Sequence, residues 1–182
     1  MKRYILILAS ILVCWSASAQ SIDKNEINEH GTRIISTHVS MAYEDDMSIS
    51  FSLEYHKNGD IENYYILLLV PKAGKYDTIK KDQQIIFKTV DDAKEIGLAV
   101  QDFRSRYMNG WSTVAMYVIS PKTAELLSQK LSKIRINYTT PEKESFFDID
   151  TSSGELCSRF AKAYKNINKA KARPADKDRS QF

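Results

Sequence analysis

Residues 33–70 read RIISTHVSMAYEDDMSISFSLEYHKNGDIENYYILLLV, and their two-residue rhythm decides the fold class. Ile35, Thr37, Val39, Met41 and Tyr43 alternate with Ser36, His38, Ser40 and Ala42. After Glu44-Asp45-Asp46, the residues Met47, Ile49, Phe51, Leu53 and Tyr55 alternate with Ser48, Ser50, Ser52 and Glu54. Successive side chains of an extended chain point to opposite faces, so each run predicts a strand with one apolar and one polar face. Asn58-Gly59 suits a two-residue type I′ hairpin, in which both central positions need positive φ. A three-residue loop at 44–46 pairs Tyr43 with Met47, Val39 with Phe51 and Ile35 with Tyr55. The Asn58-Gly59 turn pairs Lys57 with Asp60, Leu53 with Tyr64 and Phe51 with Ile66. Both registers place apolar side chains on one shared face. The third strand, Ile61 to Val70, also carries Tyr65, Leu67 and Leu69 on its second face. A strand apolar on both sides belongs in an interior.

Further strands are predicted around Ile85-Ile86-Phe87 and, after a turn at Asp91-Asp92, around Ile96, Leu98 and Val100. Asp102 to Trp111 reads as an irregular loop, and Thr113 to Ile119 as a buried, β-branched strand. Ser120-Pro121 starts a helix, with the serine as N-cap and Ala124, Leu127, Leu131 and Ile134 as its apolar stripe. Ile134, Ile136 and Tyr138 return to strand, and Phe147 with Ile149 marks one more. Ser152 or Ser153 caps a last helix with Leu156, Phe160, Ala163, Tyr164 and Ile167 on one face. The fold class is α+β: a curved, mostly antiparallel sheet or open sandwich of seven to eight strands, partly covered by two helices. Helices on the Tyr65/Leu67/Leu69 side would give the third strand its second cover, since hiding each larger side chain stabilises by roughly 1.5–3 kcal/mol.

The chain ends carry different signals. Lys2 and Arg3, an apolar run from Tyr4 to Trp15 and Ala17-Ser18-Ala19 make residues 1–19 a signal peptide. Cys14 follows Val13 where lipid attachment favours a small residue, so cleavage before Gln20 is the better reading. Export is thus expected, to the periplasm or the outside of the cell, and no other segment is apolar for long enough to span a membrane. The polar residues 20–31 read as a flexible lead-in, 32–167 as one α+β domain, and 168–182 as a charged, disordered tail. Of the 182 residues, 43% are hydrophobic and 27% charged, which excludes wholesale disorder. The formal charge of +3 sits at the two ends, leaving the body slightly acidic and without a basic field for nucleic acid.

Known chemistries find little support. Gly-x-Ser-x-Gly, His-Glu-x-x-His and Cys-x-x-Cys are all missing, and Ala73-Gly74-Lys75 lacks the first glycine and the hydroxyl residue of a phosphate loop. His38, opposite Ser52, and His56, opposite Ile34, stand about four residues apart along neighbouring strands, ~13 Å by strand rise and too far for one zinc ion. His30 lies in the lead-in, so no metal site or cofactor is expected. Glu44-Asp45-Asp46 lacks the spaced oxygens and the glycine of a calcium loop. Cys157, left alone by cleavage, reads as a small buried hydrophobe. Asp148 and Asp150 share a strand face about 7 Å apart, a spacing from which acid–base chemistry is conceivable, although Asp150 also suits the dipole of the next helix. The segment 103–111 concentrates Phe103, Arg104, Arg106, Tyr107 and Trp111, a set able to stack on sugar or to dock a protein if displayed, or to pack on the sheet edge if tucked.

Two stretches, Ile79 to Lys88 and Tyr117 to Leu127 followed by Ile134-Arg135-Ile136, resemble small exported domains of unknown function from gut Gram-negative bacteria. The resemblance covers about the second half of the mature chain and implies a periplasmic or surface location. It carries over no site residue. The resulting expectation is an exported, non-catalytic binding or accessory module for a protein, a glycan or a small apolar ligand. Two other readings remain open: an envelope assembly component that pairs through a sheet edge, and a small carboxylate-dependent hydrolase.

Overall fold

The computed structural model describes residues 21–44, 47–73, 79–100, 105–107, 110–150 and 155–176. For 41–44, 47–49, 69–73, 105–107, 110–114, 147 and 150 it describes the backbone alone. The leader, Asp45-Asp46, Gly74-Lys75, Phe103-Arg104, Ser152-Ser153 and the end of the tail lie outside the described residues.

The fold is α+β. Eleven strands join one antiparallel sheet: β1 (Ile22–Ile27), β2 (Arg33–Thr37), β3 (Ser40–Glu44), β4 (Met47–Asn58), β5 (Ile61–Ala73), β6 (Gln84–Thr89), β7 (Lys94–Ala99), β8 (Ser105–Tyr107), β9 (Gly110–Ile119), β10 (Leu131–Thr139) and β11 (Glu144–Asp150). Among the described residues two helices, α1 (Pro121–Lys130) and α2 (Glu155–Lys171), lie on one face. The order across the sheet is β1-β2-β4-β5-β9-β7-β6-β10-β11, with β3 paired to β4 and β8 to β9 beside that path. The sheet is open, with β1 and β11 at its ends. The strand count exceeds the seven to eight expected because β1 forms in the lead-in, the single run expected at 35–43 divides into β2 and β3, and β8 forms within the supposed irregular loop.

Alternation governs the core. Phe51, Leu53 and Tyr55 of β4 face Leu68, Ile66 and Tyr64 of β5, all buried. Beside them on β9 lie Ala115, Tyr117 and Ile119. α2 covers β1 to β4 with Leu156, Phe160, Ala163, Ile167 and Ala170, a helical stripe whose Phe160 stacks on Phe51 at 6.5 Å. Tyr164 of the same helix meets Tyr64 at 5.7 Å between ring centroids. α1 starts at Ser120, whose hydroxyl accepts the Thr123 amide at 3.0 Å, and Pro121 fills its first turn. Its Ala124 and Leu127 close the core over β5, β6 and β10.

The details of pairing differ from the sequence expectation in four places. Ile35 does face Tyr55, but Ser40, not Val39, faces Phe51. The Thr37 hydroxyl takes the place of a ladder residue, accepting Leu53 N at 3.0 Å and donating to Leu53 O at 3.3 Å. The extra residue between Ser36 and Ser40 bulges, so Val39 turns out to 63% exposure and Ser40 turns in. Consequently His38 leaves the ladder instead of facing Ser52, and its amide bonds Ser21 O at 3.0 Å. At the next hairpin the central pair is Gly59-Asp60: Asn58 pairs with Ile61, Gly59 has φ +59, and Asp60 is not among the positive-φ residues. Only the first central position needs glycine, as in a type II′ turn, and the two-residue shift preserves every face.

The third difference concerns β7. Ile96 and Leu98 point away from the core, at 51% and 40% exposure, while Gly97 and Ala99 point in. A Cβ on Gly97 would lie 2.8 Å from Ile85 Cγ2 and 3.0 Å from Ile119 Cγ2, so the branched neighbours leave room only for glycine. The fourth concerns the ends. The expected flexible lead-in contains β1, paired with β2, and the expected tail is helical to Lys171 and ordered against β1 to Asp176, whose amide bonds Asn25 O.

Candidate functional site

Both helices occupy the Phe51/Tyr64 face, opposite to the side expected for them. Among the described residues, the Tyr65/Leu67 face of β5 therefore carries no helix. Pairing places Tyr65 beside Val118 of β9, Val118 beside Leu98 of β7, and Leu98 beside Gln84 of β6. Leu67 lies beside Met116, and Ile96 beside Ile86. These apolar residues form one stripe on the outer face. Tyr65, Leu67, Ile86, Met116 and Val118 are half-buried, with the His56 ring packed against Tyr65 at 4.5 Å, whereas Ile96 and Leu98 are exposed.

The stripe runs into a polar cleft. Asp82, Gln83, Gln84, Asn137, Glu144, Ser145 and Phe146 line an open concavity of about 430 Å³. β10 and β11 pair Asn137 with Phe146, and β6 places Gln84 on the same outer face. Phe146 is 53% exposed. The Arg135 guanidinium stacks on its ring at 4.0 Å and donates to both Asp148 oxygens at 2.6 Å. Asp82 adopts φ 63, a left-handed conformation that aspartate tolerates, at the turn leading into β6. Gln83 Oε1 accepts the Lys80 amide and its Nε2 donates to Thr139, which ties down the cleft floor. Asp82, Gln84, Asn137 and Glu144 keep their side-chain hydrogen-bonding capacity unspent within the described protein.

The residues singled out from the sequence have separate fates. Phe103 and Arg104 lie outside the described residues. Arg106, Tyr107 and Trp111 stand in the β8–β9 hairpin, with Arg106 paired to Trp111 and Tyr107 to Gly110. That segment is thus regular where a loop was expected, and only its backbone is described. His56 does face Ile34. Each histidine keeps a carboxylate of its own: His30 with Glu29, His38 with Asp23 at 3.3 Å, and His56 with Glu54 at 2.9 Å. Among the described residues no three His, Cys, Asp or Glu side chains converge on one point. Asp148 is held ionised by hydrogen bonds from Arg135, which keep its carboxyl below the usual range, an environment opposite to that of a general acid. Burial pushes the Cys157 thiol up and disfavours the reactive thiolate, which suits its half-buried place beside the core.

Phe146, Asn137 and Gln84 were missed because each looks ordinary alone. One signal was legible. Phe146 and Phe147 are adjacent in a strand, so one aromatic ring must face away from the core. No helix among the described residues is long and apolar enough to cross a membrane. Compared with protein-family models, curated proteins and solved structures, the chain matches none.

Proposed function

We propose that this chain is an exported, non-catalytic accessory module that holds a protein partner on the bare face of its sheet. The observation that carries the reading is the cross-strand stripe from Tyr65 through Val118 and Leu98 to Ile86 and Ile96, on the face opposite both helices. Isolated exposed apolar side chains are ordinary, but a contiguous stripe across four strands is a surface from which a partner gains by removing water. The charge–apolar–small order of residues 1–19 supports export. The carboxylate-hydrolase reading draws less support, since Asp148 is engaged by Arg135. Edge pairing has β11 open to it, while the ordered tail occupies part of the β1 edge through Asp176 N and Asn25 O.

A photo-crosslinking amino acid at position 96 or 98 tests the reading in cells that make the protein. The expected result is one discrete protein adduct from both positions and none from exposed Lys122 on α1. Equal labelling from Lys122, or no adduct from the stripe, would refute it.

A further inference from the structure

The cleft beside the stripe carries a different chemistry, and we infer that it is a binding site for a neutral sugar residue of a glycan. A pyranose offers two things at once: a flat patch of C–H groups and a rim of hydroxyls that both donate and accept. The first needs an exposed ring and the second needs planar groups with paired donors or acceptors. Phe146 supplies the ring. Arg135 covers one of its faces at 4.0 Å and does not itself line the cleft, whereas Phe146 does. The guanidinium is itself anchored by Asp148 at 2.6 Å through two hydrogen bonds, so the platform is oriented before any ligand arrives.

The rim groups surround that ring. Asn137 is its direct cross-strand neighbour, and Gln84 stands one strand further on. Asp82 and Glu144 add two carboxylate acceptors. None of these four side chains is engaged within the described protein, so their capacity is available to a ligand. The cleft lining holds two carboxylates and no Lys or Arg, which turns away phosphorylated, sulfated or uronic ligands. Its volume of about 430 Å³ lies within the ordinary range for small-ligand sites. The cleft is open, so the affinity comes from one or two sugar residues and belongs at the weak end.

The test uses the purified chain, titrated by calorimetry with neutral hexasaccharides of glucose, galactose, mannose and xylose. Polygalacturonate is the anionic arm and chitosan hexamer the cationic arm. At least one neutral oligomer should bind with Kd near or below about 1 mM. Phe146→Ala should weaken it by about tenfold or more, and Asn137→Ala by several fold, at unchanged circular dichroism. Ile96→Lys, on the stripe, should leave sugar binding intact, which separates this site from the protein-docking reading. Absence of neutral binding, binding of the charged arms alone, or indifference to Phe146→Ala would each overturn the inference.

Discussion

Arg33→Ala tests how the two chain ends are held to the sheet. The guanidinium donates to Ala170 O at 3.0 Å, Lys171 O at 3.2 Å and Arg173 O at 2.6 Å, which are carbonyls at and just past the end of α2. It also donates from Nε and Nη2 to Asn25 Oδ1, at 3.2 and 3.0 Å. Asn25 is 6% exposed and passes the contact on, its Nδ2 donating to Pro174 O at 3.0 Å. A helix C-terminus leaves carbonyls unpaired and carries partial negative charge, so one cation satisfies both needs. Hydrogen bonds to a charged group contribute about 1.5–3 kcal/mol each in isolation, but these share one side chain and do not add. Water can replace the contact to the exposed Arg173 carbonyl; it cannot easily replace the one to Asn25. A net loss of about 2–4 kcal/mol follows, or a fall in Tm of roughly 4–16 °C for a domain of this size. Urea denaturation measures the total, and amide hydrogen exchange shows where it falls: residues 22–27 and 168–176 should open first. Arg33→Lys should recover only the dipole part, about 0.3–1 kcal/mol, because an ammonium lacks the planar fork. A change below about 0.5 kcal/mol in Arg33→Ala, or faster exchange spread evenly over the sheet, would refute the account.

Gly97→Ala should cost about 1–3 kcal/mol in urea denaturation, since the new methyl meets Ile85 Cγ2 at 2.8 Å and Ile119 Cγ2 at 3.0 Å; a neutral result would show that β7 shifts freely. Tyr117→Phe should leave stability unchanged or raise it by up to about 1 kcal/mol, because the buried hydroxyl has no partner among the described residues. A clear loss in that variant would mean the hydroxyl is satisfied after all. Glu62 accepts from Lys57 at 3.0 Å and from Lys171 at 3.4 Å, so its carboxyl is held below the usual range. A depressed folded-state pKa gives stability that is present above the ordinary carboxylate value and lost as pH falls through the lowered one; Glu62→Gln should therefore flatten the acid limb below about pH 4.3, and an unchanged limb would count against it.

The two-residue rhythm of β4 was legible because alternation is local and needs no knowledge of neighbours. The stripe of α2 was legible for the same reason, and Ser120-Pro121 marked the start of α1, but only Ala124 and Leu127 of its expected stripe are helical: the helix ends at Lys130, and Leu131 and Ile134 belong to β10. What escaped was decided by distant residues. Thr37 reads as one more strand residue, yet its hydroxyl bonds Leu53 across the ladder and turns Val39 outward. On β7, hydropathy favours Ile96 and Leu98 inward. The branched side chains of Ile85 and Ile119 reverse the choice by leaving no room at Gly97. β1 carries Asp23, Lys24 and Glu26 and reads as lead-in, because one of the segments that hold it, the chain after Lys171, is remote in sequence. The candidate cleft gathers residues from 82 to 146 that become neighbours only through the β6–β10–β11 pairing.

The two-faced character of β5 set the central question, and its answer links fold to function. Tyr64, Ile66 and Leu68 receive the helices, so Tyr65 and Leu67 are left to the outer face. Neighbouring strands cover part of them: Met116 and Val118 flank them on β9, and the group is half-buried with no second layer among the described residues. Folding alone would be served by polar residues at Ile96 and Leu98, since both are exposed and neither contributes to the core cluster. Solvated strand faces elsewhere in this chain are built that way, with Glu54 and His56 on β4 paired to each other at 2.9 Å. Apolar side chains at positions where stability asks for none lie beside a cleft in which Asp82, Gln84, Asn137 and Glu144 are equally unspent within the described protein. Leu98 and Gln84 are directly paired and Ile86 is paired with Arg135, so the two surfaces adjoin on the outer face. On the proposed reading, a partner on the stripe and a sugar in the cleft would share a boundary, so a substitution at Leu98 or Gln84 is the one expected to disturb both.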